Sequence, residues 1–561
     1  MRKARDVYKA WLASVTNDDA LKEELLAMNE QQINDAFFKD LSFGTGGLRG
    51  IMAAGTNRMN QYTVGRATRG LGRYLLAAHS TCPRVAIGYD TRNNSASFAR
   101  HTAAILADMG IFVWIWKEPL PTPMLSYAVR ELGCSAGIML TASHNPAEYN
   151  GYKVYGADGC QITEEAADAI SACIAQEKDF EGRITPHFEA ALADEKIAYI
   201  DEGVYESYVS CVMANSVSGN PPMANKRLKI VYTPLNGTGR RPVLDVLARC
   251  SFSDVTVVKE QEEPDGNFPT CPYPNPEIPQ AMQWGLAYAK RQSADLLIAT
   301  DPDCDRVGVG VRQADGKYNL LTGNEIGLLL LDFICKRRTE NGTMPKHPLA
   351  VKTVVTTDLA CRIAERHGVS IVNVLTGFKY IGEHIGLLEK EGRTNDFILG
   401  FEESCGYLCA GYVRDKDGVL AAMLICEMAA FHQQKGKTLD DAVNDIYRVY
   451  GYCQSALFSY SFDGAQGAET MRCVMKKLRA GKEMFCGMTV EKLLDFQQGV
   501  DGLPKADVLK FLLADGSSIT VRPSGTEPKL KVYLSVNATD KATAAAVTNQ
   551  LRLELESIIQ V

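Results

Sequence analysis

The chain has 561 residues, 46% of them hydrophobic and 23% charged, and since one hydrophobic core rarely grows past ~250–300 residues, several domains of ordinary globular composition are expected. Sixty basic against 67 acidic residues leave a net charge of −7, which excludes a general nucleic-acid binder that works by neutralising phosphates. The longest apolar run, Val419 to Cys426, ends at Glu427, far short of the ~18 residues that span a bilayer.

Residues 1–42 read as helical, without the apolar stretch of a signal peptide. Strand-like and helix-like runs then alternate. V-A-I-G-Y (85–89) precedes a helix from Ser95 to Met109, I-F-V-W-I-W (111–116) a helix from Pro123 to Leu132, and A-G-I-M-L-T-A (136–142) follows. The same order returns at 228–234, in a helix from Arg241 to Arg249, at 255–258, in a helix from Ile278 to Gln292, and at 294–300. A third round runs from a helix at Glu325–Arg337 through strands near 350–356, 370–375 and 396–401. Strands spaced by helices predict βαβ units in parallel or mixed sheets. The last stretch differs, with alternating strands at S-I-T-V-R and K-L-K-V-Y-L-S-V and a closing helix. Gly- and Pro-rich stretches near 215–225 and 451–464 read as junctions. The expected division is 1–215, 216–320, 321–452 and 453–561. Sixteen cysteines lie singly with no C-x-x-C; that is neither a zinc spacing nor a disulfide framework, and it fits free thiols in a reducing cytoplasm.

Three apolar strands end in polar clusters: Leu140 runs on to Ser143-His144, Ile298 to Asp301-Pro302, and Phe401 to Glu402-Glu403-Ser404. Open α/β sheets bind ligands outside the carboxyl ends of their strands, so three such ends predict three related domains facing one cleft. Asp301, Asp303 and Asp305, at two-residue spacing, offer a hard cation three carboxylates on one side of a loop. Arg306 and Arg312 stand where an EF-hand needs Gly and Glu, which excludes that loop. Ser143 precedes Asn145-Pro146, a turn that would hold its hydroxyl out of the sheet, or cap a helix. Arg522-Pro-Ser524-Gly525-Thr526 presents a guanidinium fork and a Gly-containing turn to an anion. Gly44-Thr-Gly-Gly-Leu-Arg49-Gly50 is a second Gly-rich turn with an arginine, but neither dinucleotide nor P-loop spacing occurs. Lys379 ends a strand, and Glu402 and Ser404 offer contacts to sugar hydroxyls. A hydroxyl nucleophile, a metal triad and cationic phosphate contacts together point to phosphoryl transfer on a sugar phosphate.

With these motifs in this order, the chain resembles the α-D-phosphohexomutase superfamily over nearly its whole length, most closely the phosphoglucomutase/phosphopentomutase branch. T-A-S-H-N-P (141–146) is similar to that family's phosphoserine loop, D-P-D-C-D-R (301–306) to its metal loop, F-E-E-S (401–404) to its sugar loop, and R-P-S-G-T-E-P (522–528) to its phosphate loop. The resemblance implies three α/β domains with mixed sheets and a smaller C-terminal α+β domain around a central cleft. It implies a phosphorylated Ser143 whose phosphate joins Asp301, Asp303 and Asp305 in holding Mg²⁺. Arg49 and Arg306 would stabilise the transferring group, and Lys153, His144 and Lys379 are candidates for general acid/base or orienting roles. Glu402 and Ser404 would read hydroxyls, while Arg522, Ser524, Gly525 and Thr526 would clamp the non-reacting phosphate. The implied reaction interconverts glucose 1-phosphate and glucose 6-phosphate, with glucose 1,6-bisphosphate as intermediate and activator. A phosphopentomutase or phosphomannomutase is the nearer alternative; a phosphatase or a non-catalytic sugar-phosphate sensor is the more remote. Expected partners are small sugar phosphates, with no nucleic acid or membrane, in a cytoplasmic monomer or homodimer. Many relatives carry Ser-Gly-His after the glutamates; here Ser404-Cys405-Gly406-Tyr407 follows, a departure that bears on hydroxyl selectivity rather than on the reaction.

Overall fold

The structure, a computed structural model, describes residues 4–15, 18–44, 46–78, 82–180, 187–219, 228–462, 464–524 and 529–559. Four sheets follow one another along the chain. The first holds β1 (Leu48–Ile51), β2 (Arg84–Tyr89), β3 (Phe112–Ile115), β4 (Ala136–Leu140), β5 (Tyr149–Gly156) and β6 (Ile197–Tyr199), in the order β1-β5-β4-β2-β3-β6. The second holds β7 (Ile230–Thr233), β8 (Val255–Val257), β9 (Leu296–Thr300), β10 (Val307–Arg312) and β11 (Tyr318–Leu321), in the order β11-β10-β9-β7-β8. The third holds β12 (Leu349–Thr353), β13 (Ser370–Val374), β14 (Phe397–Glu402) and β15 (Gly406–Leu408), in the order β13-β12-β14-β15.

These three sheets share one device. β4, β9 and β14 each pair in parallel with an inner neighbour and antiparallel with the strand that follows them in the chain. The chain therefore reverses directly after each apolar strand, and the serine, aspartate and glutamate clusters occupy the three reversals. The alternation of strand and helix predicts the parallel members. It passes over β5, β10 and β15: β5 and β15 begin just after a polar turn and show no apolar run of their own, whereas the V-G-V-G-V of β10 carries an alternation that could have been read.

The fourth sheet is antiparallel throughout. It joins β16 (Tyr452–Ser461), β17 (Met484–Phe485), β18 (Met488–Asp495), β19 (Leu509–Leu513), β20 (Ser518–Pro523) and β21 (Lys529–Ala538), covered by a helix at Lys541–Ile559. The stretch read as a junction at 451–464 thus opens this sheet as a ten-residue strand on β21. The helix expected from Ile278 begins only at Gln283; Pro274, Pro276 and Pro279 keep the preceding residues in turns by removing N–H donors and disfavouring helical geometry before each ring. The apolar run at 419–426 is the buried first half of a helix, Gly418–Gln434, capped by Asp417. No helix among the described residues is long and apolar enough to cross a membrane.

The helices at Ala4–Ser14, Asp19–Ala27 and Glu30–Phe37 pack on the first sheet's domain through Trp11, Phe37 and Tyr62. The last domain meets the third through Val354, Val355 and Leu375 against Phe496, Val508 and Tyr533. Within that contact Asp358 binds Lys352 and Lys510 at 2.8 Å each.

Candidate active site

Ser143 follows β4 in a turn that gives it a φ of +51°, a left-handed conformation costly for a side chain with a Cβ. The surroundings hold it there. Its N–H donates to Thr141 Oγ1 (2.8 Å), and that hydroxyl donates to Asp90 Oδ2 (2.6 Å). Arg92, fully buried, donates to the carbonyls of Ser143, Asn145, Pro146 and Tyr149 and lies 3.3 Å from Asp90. One guanidinium thus clamps the whole turn. Arg49, on β1, donates to Asn145 Oδ1 at 3.0 Å. The glycine-rich turn before it lies on β5, where Gly47 (φ +74°) has no room for a Cβ: one would sit 1.8 Å from Tyr152 O.

The aspartate loop is built from both sides. Pro302 O accepts from Thr238 N–H (2.8 Å) and Oγ1 (2.9 Å). Thr122 of the first domain bonds Asp303 twice, N–H to O and Oγ1 to Oδ2, at 2.9 Å each. The three carboxylates are buried, with one oxygen of each inside a 4.8 Å span. Every one meets a group from another domain. Ser143 Oγ donates to Asp301 Oδ2 (2.9 Å), Lys153 Nζ on β5 to Asp303 Oδ2 (2.9 Å), and Lys416 Nζ lies 3.1 Å from Asp305 Oδ2. Asp303 Oδ1 and Asp305 Oδ1 are nevertheless buried with no hydrogen-bond partner. Unpartnered buried carboxylate oxygens of a hard-donor set are what a divalent oxygen-binding cation needs, so the residues fit Mg²⁺. Burial and the neighbouring carboxylates push Asp301 up, and burial pushes Asp305 up, whereas at Asp303 the Lys153 ammonium outweighs burial and holds the group low.

His144 Nδ1 lies 3.1 Å from Ser143 Oγ. Burial, then Arg306 and Arg49, hold its pKa well below the ordinary histidine value, so the ring is neutral beside the hydroxyl. Arg306 pairs with Glu277 and donates to Ser404 O at 3.3 Å. Glu402 Oε1 accepts from Gly377 N–H at 3.0 Å, and burial raises its pKa to about 7. Glu403, beside it, turns away to Thr353 and Thr356. Arg522 Nη2 donates to Tyr533 OH (3.1 Å), while its buried Nε has no partner. Ser524 N–H donates to Lys529 O at 2.8 Å; Gly525 and Thr526 lie outside the described residues. Lys379 sits in the first turn of the helix Phe378–Lys390, 3.9 Å from Glu164, and lines a cavity of about 410 Å³ with Cys160, Thr163 and Glu383. Its ion pair is with Glu164, whereas Lys153 pairs with the triad.

Arg92, Thr122, Thr238, Glu277 and Lys416 escape the sequence reading. Arg92 follows the end of β2 at Tyr89 and Thr238 lies in the T-P-L-N-G-T-G turn after β7, so attention to every parallel strand end would have reached both. Thr122, Glu277 and Lys416 carry no local signal.

Profiles described as phosphoglucomutase/phosphomannomutase alpha/beta/alpha domains I, II and III match residues 40–181, 206–316 and 322–450, and the profile of the C-terminal domain matches 471–553. A phosphoglucomutase of Staphylococcus haemolyticus is 37% identical over 514 residues, 89% of this chain and 91% of its own. One from Staphylococcus saprophyticus is 36% identical over 544 residues, 94% and 96% of the two chains. The open form of parafusin, a phosphoglucomutase of Paramecium, shares the fold with a TM-score of 0.68 at 18% identity, over 93% of this chain and 95% of its own. The chain belongs to the phosphoglucomutase/phosphomannomutase family of the α-D-phosphohexomutases.

Proposed function

We propose that this intramolecular phosphotransferase interconverts glucose 1-phosphate and glucose 6-phosphate through a phosphorylated Ser143 and a glucose 1,6-bisphosphate. The observation that carries the reading is the meeting of a serine hydroxyl, held in a left-handed turn, with a buried three-carboxylate cluster from another domain at 2.9 Å. A covalent phosphoserine splits one transfer between distant hydroxyls into two in-place steps.

In the first step the bond from phosphorus to Ser143 Oγ breaks as the free hydroxyl of the sugar phosphate forms the new P–O bond and gives up its proton, and the departing Oγ takes up a proton to become a hydroxyl. His144, uncharged and 3.1 Å from Oγ, is positioned to move a proton there. The bisphosphate then reverses in the cleft and its other phosphate passes to Ser143 Oγ, which restores the starting enzyme without water. Arg49 and Arg306 flank the site with positive charge. Asp301, Asp303 and Asp305 would hold Mg²⁺, which supplies charge neutralisation to the transferring phosphoryl group. Arg522 and Ser524 would take the phosphate that does not react, and Glu402 and Ser404 the sugar hydroxyls. The sixteen cysteines, none of them in a disulfide, fit a reducing cytoplasm.

Intact-mass measurement tests the covalent step. A fraction of the purified enzyme should be about 80 Da heavier, the added mass being a phosphoryl group exchangeable with substrate. Ser143→Ala should lose that species and at least ~10³-fold in kcat, as expected when a nucleophile acting within a unit is removed. Near wild-type turnover by this variant would overturn the mechanism.

A further inference from the structure

Ser143 and Lys153 answer for two of the three triad carboxylates; the third has a partner that no motif points to. Lys416 lies in the segment Arg414–Gly418 of the third domain, just ahead of the helix Gly418–Gln434. Its side chain is buried and its Nζ lies between Asp305 Oδ2 (3.1 Å) and Asp415 Oδ1 (3.0 Å). Asp415 is itself fixed by Tyr155 OH at 2.8 Å and Gln161 Nε2 at 3.3 Å. The same segment grips the aspartate loop, since Gly418 N–H donates to Cys304 O at 3.1 Å. It also grips the sugar loop, since Asp417 N–H donates to Tyr407 O at 2.9 Å. The stem of Lys416 crosses Gly406, where an added Cβ would stand 2.2 Å from Lys416 Cδ. A glycine directly after Ser404-Cys405 is therefore what lets the ammonium reach the triad.

We propose that Lys416 is a positioning residue of the reaction centre, which holds Asp305 by Oδ2 and so keeps Oδ1 free as a ligand for the divalent cation. The inference rests on the proposed metal role of the triad. Asp305 Oδ1 has no hydrogen-bond partner, yet Arg306 Nε lies 3.8 Å from it. Without Lys416 the cations left near Asp305 are Lys153, 3.8 Å from Oδ2 and already bonded to Asp303, and Arg306, whose buried Nε has no hydrogen-bond partner, so rotation toward Arg306 satisfies both groups. That rotation withdraws the ligand oxygen. Outer partners of ligating carboxylates are typically worth 10–100-fold in metal affinity, because they fix the orientation of the ligand.

Isothermal titration of the purified enzyme with Mg²⁺ alone, in the absence of sugar phosphate, tests this. Lys416→Met, of similar length and uncharged, should weaken Mg²⁺ binding by about 10–100-fold, and Lys416→Arg should recover most of it. Gly406→Ala, which pushes on the stem and leaves every charge in place, should weaken binding in the same direction. Its effect should largely vanish in the Lys416→Met background, since two changes acting through one group are not additive. Unchanged or tighter binding in Lys416→Met would show that the lysine only balances charge, and would overturn the proposal. If Lys416→Met does not fold, the Gly406→Ala and Lys416→Arg titrations decide alone, and wild-type affinity in Gly406→Ala overturns it. Asp303→Asn separates the two readings. If the wild type binds and Asp303→Asn does not, the triad is a metal site whatever Lys416 does; if the wild type binds no Mg²⁺, both readings fall together.

Discussion

Arg92→Lys keeps a positive charge under the serine loop and removes the fork. The guanidinium donates to four carbonyls, those of Ser143, Asn145, Pro146 and Tyr149, while its Nε lies 3.3 Å from the Asp90 carboxylate without a hydrogen bond. An ammonium has three donors, so at least one carbonyl loses its bond. At about 1.5–3 kcal/mol for each bond to a charged group, the loop loses at least about 1.5–3 kcal/mol. That matches the roughly 1–3 kcal/mol that a strained backbone conformation stores, and the left-handed conformation of Ser143 should relax. Oγ then leaves its place 2.9 Å from Asp301. A misplacement near 1 Å costs on the order of 10²-fold, so kcat should fall by about that factor. KM should change little, because no residue assigned to the sugar or the distal phosphate moves. A coupled assay of glucose 1-phosphate turnover, alongside intact mass and near-UV circular dichroism, reads all three. A folded variant that loses less than about tenfold in kcat, or about 1.4 kcal/mol, would refute the claim that Arg92 holds the nucleophile in place.

Chelation with EDTA should abolish turnover and Mg²⁺ should restore it, while Asp303→Asn, of equal shape and one charge less, should raise the Mg²⁺ requirement strongly; full activity in excess EDTA would show that the triad is a structural turn. Glu402 carries the pH prediction. Burial raises its pKa from 4.5 to about 7, so the folded state keeps a proton that the unfolded chain gives up, and the associated stability is full below about pH 4.3 and disappears as pH rises through 7. The stability difference between wild type and Glu402→Gln should therefore shift by up to about 3 kcal/mol in favour of the variant from pH 4 to pH 8, read as denaturation midpoints; a difference independent of pH would refute a buried, proton-holding glutamate.

Local signals carry a good part of this protein. The helix Ser95–Asp108 and the strands β2, β4, β9 and β14 are legible because apolar runs and helical spacing report burial directly. The three polar clusters at strand ends are legible for a related reason: a chain leaving a buried strand must turn, and the residues of that turn face solvent or ligand. Two-residue spacing likewise marks Asp301, Asp303 and Asp305 as candidate cation ligands before any fold is known. What the sequence cannot announce is which distant group each carboxylate meets. Ser143 and Lys153 lie 158 and 150 residues from their aspartates, and Lys416 comes from a third domain, in a segment with no motif of its own. Those pairings depend on how three sheets and their reversals pack, and the local periodicity is the same whichever way they do. β5 and β15 pass unnoticed because each is defined by pairing with the strand before it rather than by its own pattern, whereas the alternation of β10 was there to be read. Lys379 shows the converse. Its sequence context predicts a strand end, whereas it opens the helix Phe378–Lys390, and the packing of that helix directs the ammonium to Glu164 while Lys153, on β5, meets the triad.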